Sequence, residues 1–295
     1  MPERRLSGLV AMVLLVLAIA APAYARGDKA PKVPMITDAG VAEVQRAIDE
    51  QRYIDAGRML DKAGLAGVSD PRLTILSGEL NLAKGRLNDA LVVFKRVEGE
   101  RTVRGKSLQG QGIVLSLLNR DDEAVAMLEA AVAEDPSSWR AWNALGSQYD
   151  SRRDFARAQT AYDHALMGSN GAAAVLNNRG FSRLLQGQIE LATKDFVDAL
   201  NKKPDLAAAR TNLRLAIAMK GEYDRALAGG APTDEAARLN NAGFAAMLRG
   251  DYAKAEDLFT QAMKTRGEYY TRASANLEMT RALAARQKAA TSAAP

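Results

Sequence analysis

The strongest constraint on the fold of this 295-residue chain is that its sequence repeats every 34 residues. Glycine recurs at Gly78, Gly112, Gly146 and Gly180, and alanine recurs at Ala56, Ala90, Ala124, Ala158, Ala192 and Ala226. Bulky side chains follow the same step at Leu60, Phe94, Leu128, Tyr162 and Phe196. A fixed period of this length is typical of arrays in which each repeat is one supersecondary unit stacked on its neighbours.

The repeat at 139–172 shows the pattern most completely. Counted from its first residue, it has Trp142 at position 4, Leu145 at 7, Gly146 at 8, Tyr149 at 11, Ala158 at 20, Tyr162 at 24 and Ala165 at 27. This pattern resembles the tetratricopeptide repeat (TPR), in which each unit is a pair of helices, A and B. Small residues are needed where the two helices cross, because larger side chains would force them apart. We therefore expect an all-α TPR superhelix, an α-solenoid of antiparallel helix pairs with a C-terminal capping helix.

Turn residues fix where each repeat begins and ends. Glycine stands at position 15, where helix A should end, at Gly85, Gly187, Gly221 and Gly250. Proline at position 32, as Pro136 and Pro204, closes helix B because it cannot continue the hydrogen-bond ladder. The predicted units are full repeats at 37–70, 71–104, 105–138, 139–172, 173–206 and 236–269, a truncated repeat at 207–235, a cap at 270–287 and a disordered tail at 288–295.

The repeat at 207–235 departs from the pattern. Its positions 24 and 27 are Gly230 and Thr233, so no bulky side chain is available from helix B. Gly221 and Gly250 are 29 residues apart instead of 34. We expect helix B here to be cut to about two turns ending near Gly229, and Thr233 or Asp234 to cap the next helix.

The first residues have the features of a secretory signal peptide. Arg4 and Arg5 precede an apolar run at 9–21, and Ala23-Tyr24-Ala25 offers the small-x-small pattern of a cleavage site. The run is shorter than the roughly 20 residues that a membrane-spanning helix needs. The sequence predicts a signal peptide at 1–25, a flexible tether at 26–36 and a periplasmic location. An uncleaved signal that keeps the protein at the membrane is the alternative.

Composition argues against catalysis. The chain has no cysteine and a single histidine, His164, so zinc sites and Cys/His or Ser/His nucleophilic mechanisms lack their usual groups. The formal net charge of +5 is too small to indicate nucleic-acid binding. We therefore expect no enzymatic activity, cofactor, metal or small-molecule substrate, and a protein as the partner.

Helix A of a TPR projects its positions 2, 5, 6, 9, 12 and 13 into the concave groove. Candidate partner-binding residues there are Asn143, Asn177 and Asn240 at position 5, Asn178, Asn212 and Asn241 at position 6, Phe181 and Phe244 at position 9, and Lys106 and Arg140 at position 2. Asparagine can donate and accept, so a row of them can bind the backbone of an extended peptide, and the two cationic residues could hold a carboxylate. Alternatively, the asparagines bond to the neighbouring helix and the phenylalanines serve packing.

Two segments carry a more specific resemblance. The segment 176–181 (LNNRGF) with Gln186-Gly187, and the segment 239–244 (LNNAGF) with 249–252 (RGDY), are similar to the closing repeats of TadD-type proteins of tight-adherence (Flp) pilus assembly. The similarity extends over 139–285. It implies an envelope protein that assists assembly of the pilus secretion machinery by engaging outer-membrane or periplasmic components. Many members of that family are lipoproteins, whereas this chain has no cysteine to acylate. A generic periplasmic scaffold that uses its convex face and ends is the alternative.

Export can be tested on the protein recovered from its native host. If the signal peptide is cleaved after Ala25, intact-mass and N-terminal analysis of the periplasmic fraction should find a chain that begins at Arg26. A chain that keeps Met1 and sediments with purified membranes would instead show that residues 1–25 act as an anchor.

Overall fold

The computed structural model describes residues 36–266 and 270–292. The predicted signal peptide, the tether up to residue 35 and the last three residues of the predicted tail lie outside this part. The described residues form fifteen α-helices, one short 3-10 turn at Pro232–Asp234 and no strand. The helices are α1 (Asp38–Asp49), α2 (Tyr53–Leu65), α3 (Pro71–Ala83), α4 (Leu87–Arg96), α5 (Arg104–Leu117), α6 (Asp121–Glu134), α7 (Trp139–Ser151), α8 (Phe155–Ser169), α9 (Ala173–Leu185), α10 (Ile189–Lys202), α11 (Ala207–Met219), α12 (Tyr223–Leu227), α13 (Glu235–Arg249), α14 (Tyr252–Arg266) and α15 (Thr271–Ser292).

The helices are arranged as a solenoid. Each odd-numbered helix packs against the even-numbered helix that follows it and against the next odd-numbered helix, whereas the even-numbered helices of different hairpins do not touch one another in the described part. The odd-numbered helices thus form the closely stacked inner row of the solenoid. Their solvent-facing side lines the concave groove. The expected all-α solenoid is confirmed. In the described ranges, no helix combines the length and the apolar character needed to cross a membrane.

A left-handed residue ends the first helix of each hairpin. It is glycine in four hairpins, but Gln51, Asn119 and Arg153 take the same conformation with φ of 60°, 57° and 57°. Residues other than glycine are less stable in this conformation by about 1 kcal/mol or more, for steric reasons. The turn is therefore imposed by the packing of the two helices even where the local sequence disfavours it.

The spacing within a hairpin is set by glycine against a large side chain. A Cβ placed on Gly146 would lie 2.7 Å from Cε1 of Tyr162, and one on Gly180 would lie 2.7 Å from Cε1 of Phe196. Both rings are almost fully buried. The steric role that the sequence predicts for Gly146 is thus confirmed, and the rings at position 24 rest directly on the backbone of helix A.

The hairpin at 207–235 is shorter than predicted. Its second helix, α12, has five residues and ends at Leu227, because Ala228 leaves the helical conformation and Gly229 and Gly230 follow with φ of 65° and 94°. Asp234 is the N-cap residue of the next helix, as predicted, but its side chain does not cap that helix. It forms no capping hydrogen bond because a 3-10 turn leads directly into α13.

The capping helix is longer than predicted. It continues through Lys288, where disorder was expected, to Ser292. The added residues are rich in alanine, which favours helix, and two of them bond to the preceding turn: Thr291 Oγ1 donates to the Gln287 carbonyl at 3.1 Å, and Ser292 Oγ donates to the Lys288 carbonyl at 2.9 Å. The predicted tail at 288–295 is therefore helical over its described part.

The glycine contact can be tested by Gly146→Ala. The added methyl group would overlap the Tyr162 ring, and we expect a loss of about 1 to 3 kcal/mol of stability, measured as a lower urea midpoint by circular dichroism. Gly64→Ala is the matched control, since nothing lies within 4 Å of a Cβ at that helical position. The control should be unchanged or more stable by up to about 1 kcal/mol. Equal midpoints for both variants would show that the contact does not set the spacing.

The short helix should also be the first to open. A helix of five residues has few internal hydrogen bonds, and isolated short helices are not stable in water. In hydrogen exchange, amides of α12 should lose protection well before those of α8, its counterpart in a complete repeat. Equal protection in the two helices would show that the array is uniformly stable across the truncated repeat.

Candidate partner-binding groove

Asparagines form a continuous chain of hydrogen bonds across α7, α9 and α11. Asn178 Nδ2 donates to Asn143 Oδ1 on the preceding helix at 3.1 Å. Asn212 Nδ2 donates to Asn177 Oδ1 at 3.0 Å, and Asn177 Nδ2 donates to Asn178 Oδ1 at 3.2 Å. We call Asn143, Asn177, Asn178 and Asn212 the amide ladder. It holds three neighbouring first helices in register.

A second group of asparagines lies further along the groove. Asn276 Nδ2 of the capping helix donates to Asn240 Oδ1 at 3.1 Å, and Asn240 Nδ2 is 3.5 Å from Asn241 Oδ1. Sequence reasoning missed Asn276 as a site residue because it lies outside the repeats. The 34-residue pattern gives no signal for it, because Asn276 lies 36 residues from Asn240.

The asparagines differ in how much exposed hydrogen-bonding capacity they offer to a partner. Asn177 and Asn240 are buried, whereas Asn143, Asn178 and Asn212 are half-buried. An amide has two N–H donors and an oxygen that accepts twice. Asn178 uses one donor and one acceptor site within the ladder, so it keeps one of each. The structure therefore shows the bonding between helices that was the alternative interpretation, and leaves capacity for a ligand at the half-buried members.

A cavity of about 360 Å³ opens beside the ladder. Its lining includes Ser147, Asp150, Ser151, Tyr162, Asn177, Asn178, Phe181, Leu185 and Asn212. Four of these, Asn177, Asn178, Phe181 and Asn212, are residues that the sequence predicts for the site. The structure thus brings part of the predicted set together at α7, α9 and α11.

Asp150 lies at the inner wall of this cavity and was not predicted. Ser182 Oγ donates to Asp150 Oδ1 at 2.6 Å, and Tyr162 Oη donates to Asp150 Oδ2 at 2.8 Å. Burial raises the pKa of the Asp150 carboxyl, and these two hydrogen bonds partly counteract that effect. The carboxyl joins α7, α8 and α9. Its position 12 in the repeat, which faces the groove, was the signal available in the sequence.

Apolar side chains are exposed on the same surface. Phe181 and Leu185 of α9 are 40% and 52% exposed, and Phe244 and Leu248 of α13 are 37% and 57% exposed. Each pair is four residues apart, so both members lie on one face of their helix. Sequence reasoning missed the two leucines, which stand at position 13. Exposed apolar side chains that are grouped together indicate a binding surface.

Lys106 and Arg140 lie elsewhere in the groove. Both are exposed, and their positive charges act on Glu79 of α3. Burial raises the pKa of the Glu79 carboxyl, and the two cations partly offset this.

Comparison with known sequences finds limited similarity. No family model matches the chain. It is similar to Protein FlbA of Caulobacter vibrioides, with 30% identity over 157 residues. The match covers 50% of this chain and 26% of FlbA, so the chain spans about a quarter of the length of that curated relative.

Comparison with solved structures shows the fold. A TPR protein from Parabacteroides merdae superposes with a TM-score of 0.52 and 15% identity, covering 82% of this chain and 97% of that one. A structure of the APC/C hetero-tetramer Cut9-Hcn1 gives a TM-score of 0.58 and 16% identity, covering 84% of this chain and 53% of that one. The described part of the chain thus has the fold of an all-helical TPR solenoid.

Proposed function

We propose that this protein is a non-enzymatic binding protein of the bacterial cell envelope that assists assembly of a tight-adherence (Flp) pilus or a related secretion machinery. Its partner is a protein, such as a pilus or secretin component, held as an extended segment in the concave groove. The observation that carries the proposal is the cavity beside the amide ladder, where polar amides and exposed Phe181 and Leu185 border the same space.

The groove offers both kinds of contact that an extended peptide needs. The free donor and acceptor of Asn178 suit a peptide backbone, whose N–H and C=O groups must stay bonded when they leave water. Phe181 and Leu185 offer apolar surface to alternate side chains of the peptide, and burying one such side chain contributes about 1.5 to 3 kcal/mol. Neither contact requires a titrating group, so binding is a matter of shape and amide pairing.

Two features of the sequence support the place of action. The charged start, apolar run and Ala23-Tyr24-Ala25 of residues 1–25 support export. The LNNRGF and LNNAGF segments support a role in pilus assembly, and the first of them contains Asn177, Asn178 and Phe181, which line the cavity. One of the two segments that suggest the function therefore also forms part of the site.

The groove proposal predicts a selective loss of binding in Phe181→Ser/Leu185→Ser. Both side chains are exposed, so the variant should keep its melting temperature within a few degrees and lose at least about tenfold in affinity for its partner. Replacing the asparagines with alanine would be a less clear test, because it would remove hydrogen bonds between helices that contribute about 0.5 to 1.5 kcal/mol each. The measurement is quantitative capture from an envelope extract of the native host, with the chain from Arg26 as bait.

The matched control is Leu191→Ser/Val197→Ser on the outer helix α10, where the side chains are 48% and 40% exposed. Partners should be retained by this variant. If the control loses them and the groove variant keeps them, the protein acts as a scaffold through its convex face. Equal capture by the unaltered protein, the groove variant and the control would contradict binding through either of these surfaces.

A further inference from the structure

The truncated repeat encloses a second cavity, of about 430 Å³, between α11 and α13. It lies where the end of a full-length second helix would pack. Its lining includes three arginines, Arg210 and Arg214 of α11 and Arg238 of α13, together with Gly230. None of these four is a predicted groove residue, but Asn241, which is one, also lines this cavity.

The arginines follow from the loss of the glycine contact. Five of the six full repeats have glycine at position 8 of helix A and a large side chain at position 24 of helix B, but in this repeat those positions hold Arg214 and Gly230. A Cβ on Gly230 would lie 2.8 Å from Arg238 Nη1 and 3.2 Å from Arg214 Nη1. Two guanidinium groups from different helices therefore border the same small space.

Hydrogen bonds to backbone carbonyls use only part of the donor capacity of Arg214 and Arg238. Arg214 Nη2 donates to the Ala228 carbonyl at 3.2 Å, and Arg238 Nη1 donates to the Ala231 carbonyl at 2.8 Å. A guanidinium has five N–H donors. Arg238 Nε is buried and has no hydrogen-bond partner among the described residues. Hydrogen bonding to the loop carbonyls therefore does not by itself explain why Arg214 and Arg238 are placed here.

The positive charge is only partly offset by Asp234, which also lines the cavity. No ion pair in the described part of the chain includes Arg210, Arg214 or Arg238. Burial lowers the pKa of Arg214, and the charges of Arg238 and Arg210 lower it further, against a weaker opposite effect of Asp234. Like charges held together at a half-buried site cost free energy, which an anion would recover.

We propose that this cavity binds a phosphoryl group, with Arg214 and Arg238 donating to its oxygens and Arg210 adding positive charge at the rim. Planar guanidinium forks match the oxygens of phosphate, and two or three of them suit a dianion better than a single carboxylate. The cavity is large enough for a phosphate with a small organic group attached. The phosphoryl group can come from a soluble phosphate ester or from a phospholipid headgroup. This inference is independent of the groove function.

The test uses the chain from Arg26 with inorganic phosphate as the soluble probe and chloride at matched ionic strength as the reference. Phosphate in the millimolar range should raise the melting temperature, since a ligand that binds only the folded state stabilises it. Arg214→Gln/Arg238→Gln should lose at least about tenfold in phosphate affinity by calorimetry. Arg58→Gln/Arg281→Gln, on exposed side chains and with the same change of charge, is the matched control and should bind as the unaltered protein does.

A parallel arm uses vesicles of phosphatidylcholine with and without phosphatidate. Binding to phosphatidate vesicles that is lost in Arg214→Gln/Arg238→Gln, without a response to soluble phosphate, assigns the site to a lipid headgroup. A response to soluble phosphate assigns it to a soluble ester. Absence of both responses in the unaltered protein, or responses that the double variant retains, would overturn the proposal.

A third variant covers the case in which the double variant does not fold. Arg210→Gln changes an exposed side chain whose Nη2 donates to the Pro204 carbonyl at 2.9 Å, and it leaves the two loop contacts intact. It should weaken phosphate binding by roughly threefold or more at low salt, as expected for one rim charge. Unchanged affinity in this folded variant, together with loss of folding in the double variant, would show that the arginines serve only the loop.

Discussion

The contact between a glycine of one helix and a large side chain of the next sets the spacing on which this solenoid depends. It recurs in chemically different forms, with Phe94 against Gly78, Leu128 against Gly112 and Tyr162 against Gly146. In each pair the large side chain packs directly on the backbone at the glycine. The two helices of the hairpin therefore have a single close-packed distance between them. Because the hairpins that have this contact present the same geometry to their neighbours, their first helices stack in a row and the groove follows from that row.

The truncated repeat shows what happens when this contact is absent. With Arg214 and Gly230 at the two positions, nothing large remains to hold a long second helix, and α12 stops at Leu227. The space is then bordered by polar groups instead of a ring. A cavity with charged walls is thus the direct consequence of losing one steric contact, and its arginines bond to the loop that replaces the helix.

The sequence predicts the features that recur at fixed spacing and misses those that depend on neighbours. Helix positions follow from the period, because glycine at position 8 and a large side chain at position 24 recur together in five of the seven hairpins. The bonding of Asn178 to Asn143 depends on the register between two hairpins, which no single repeat encodes. Asp150 was missed because its role comes from Tyr162 and Ser182 on two other helices. The end of the capping helix was misplaced because helix propensity in an alanine-rich stretch was read as disorder.

The cavity beside the amide ladder and the arginine-lined cavity share helix α11, and this limits how they can influence each other. Asn212 of α11 belongs to the amide ladder, while Arg210 and Arg214, two residues before and after it, border the second cavity. Side chains two residues apart on a helix point in different directions, so α11 serves both sites without one blocking the other. Each repeat contacts only its neighbours, so any coupling between an anion and a groove-bound segment must pass through the placement of α11. By linkage, such coupling would be equal in both directions: an anion that fixes α11 would strengthen partner binding by the same factor as the partner strengthens anion binding.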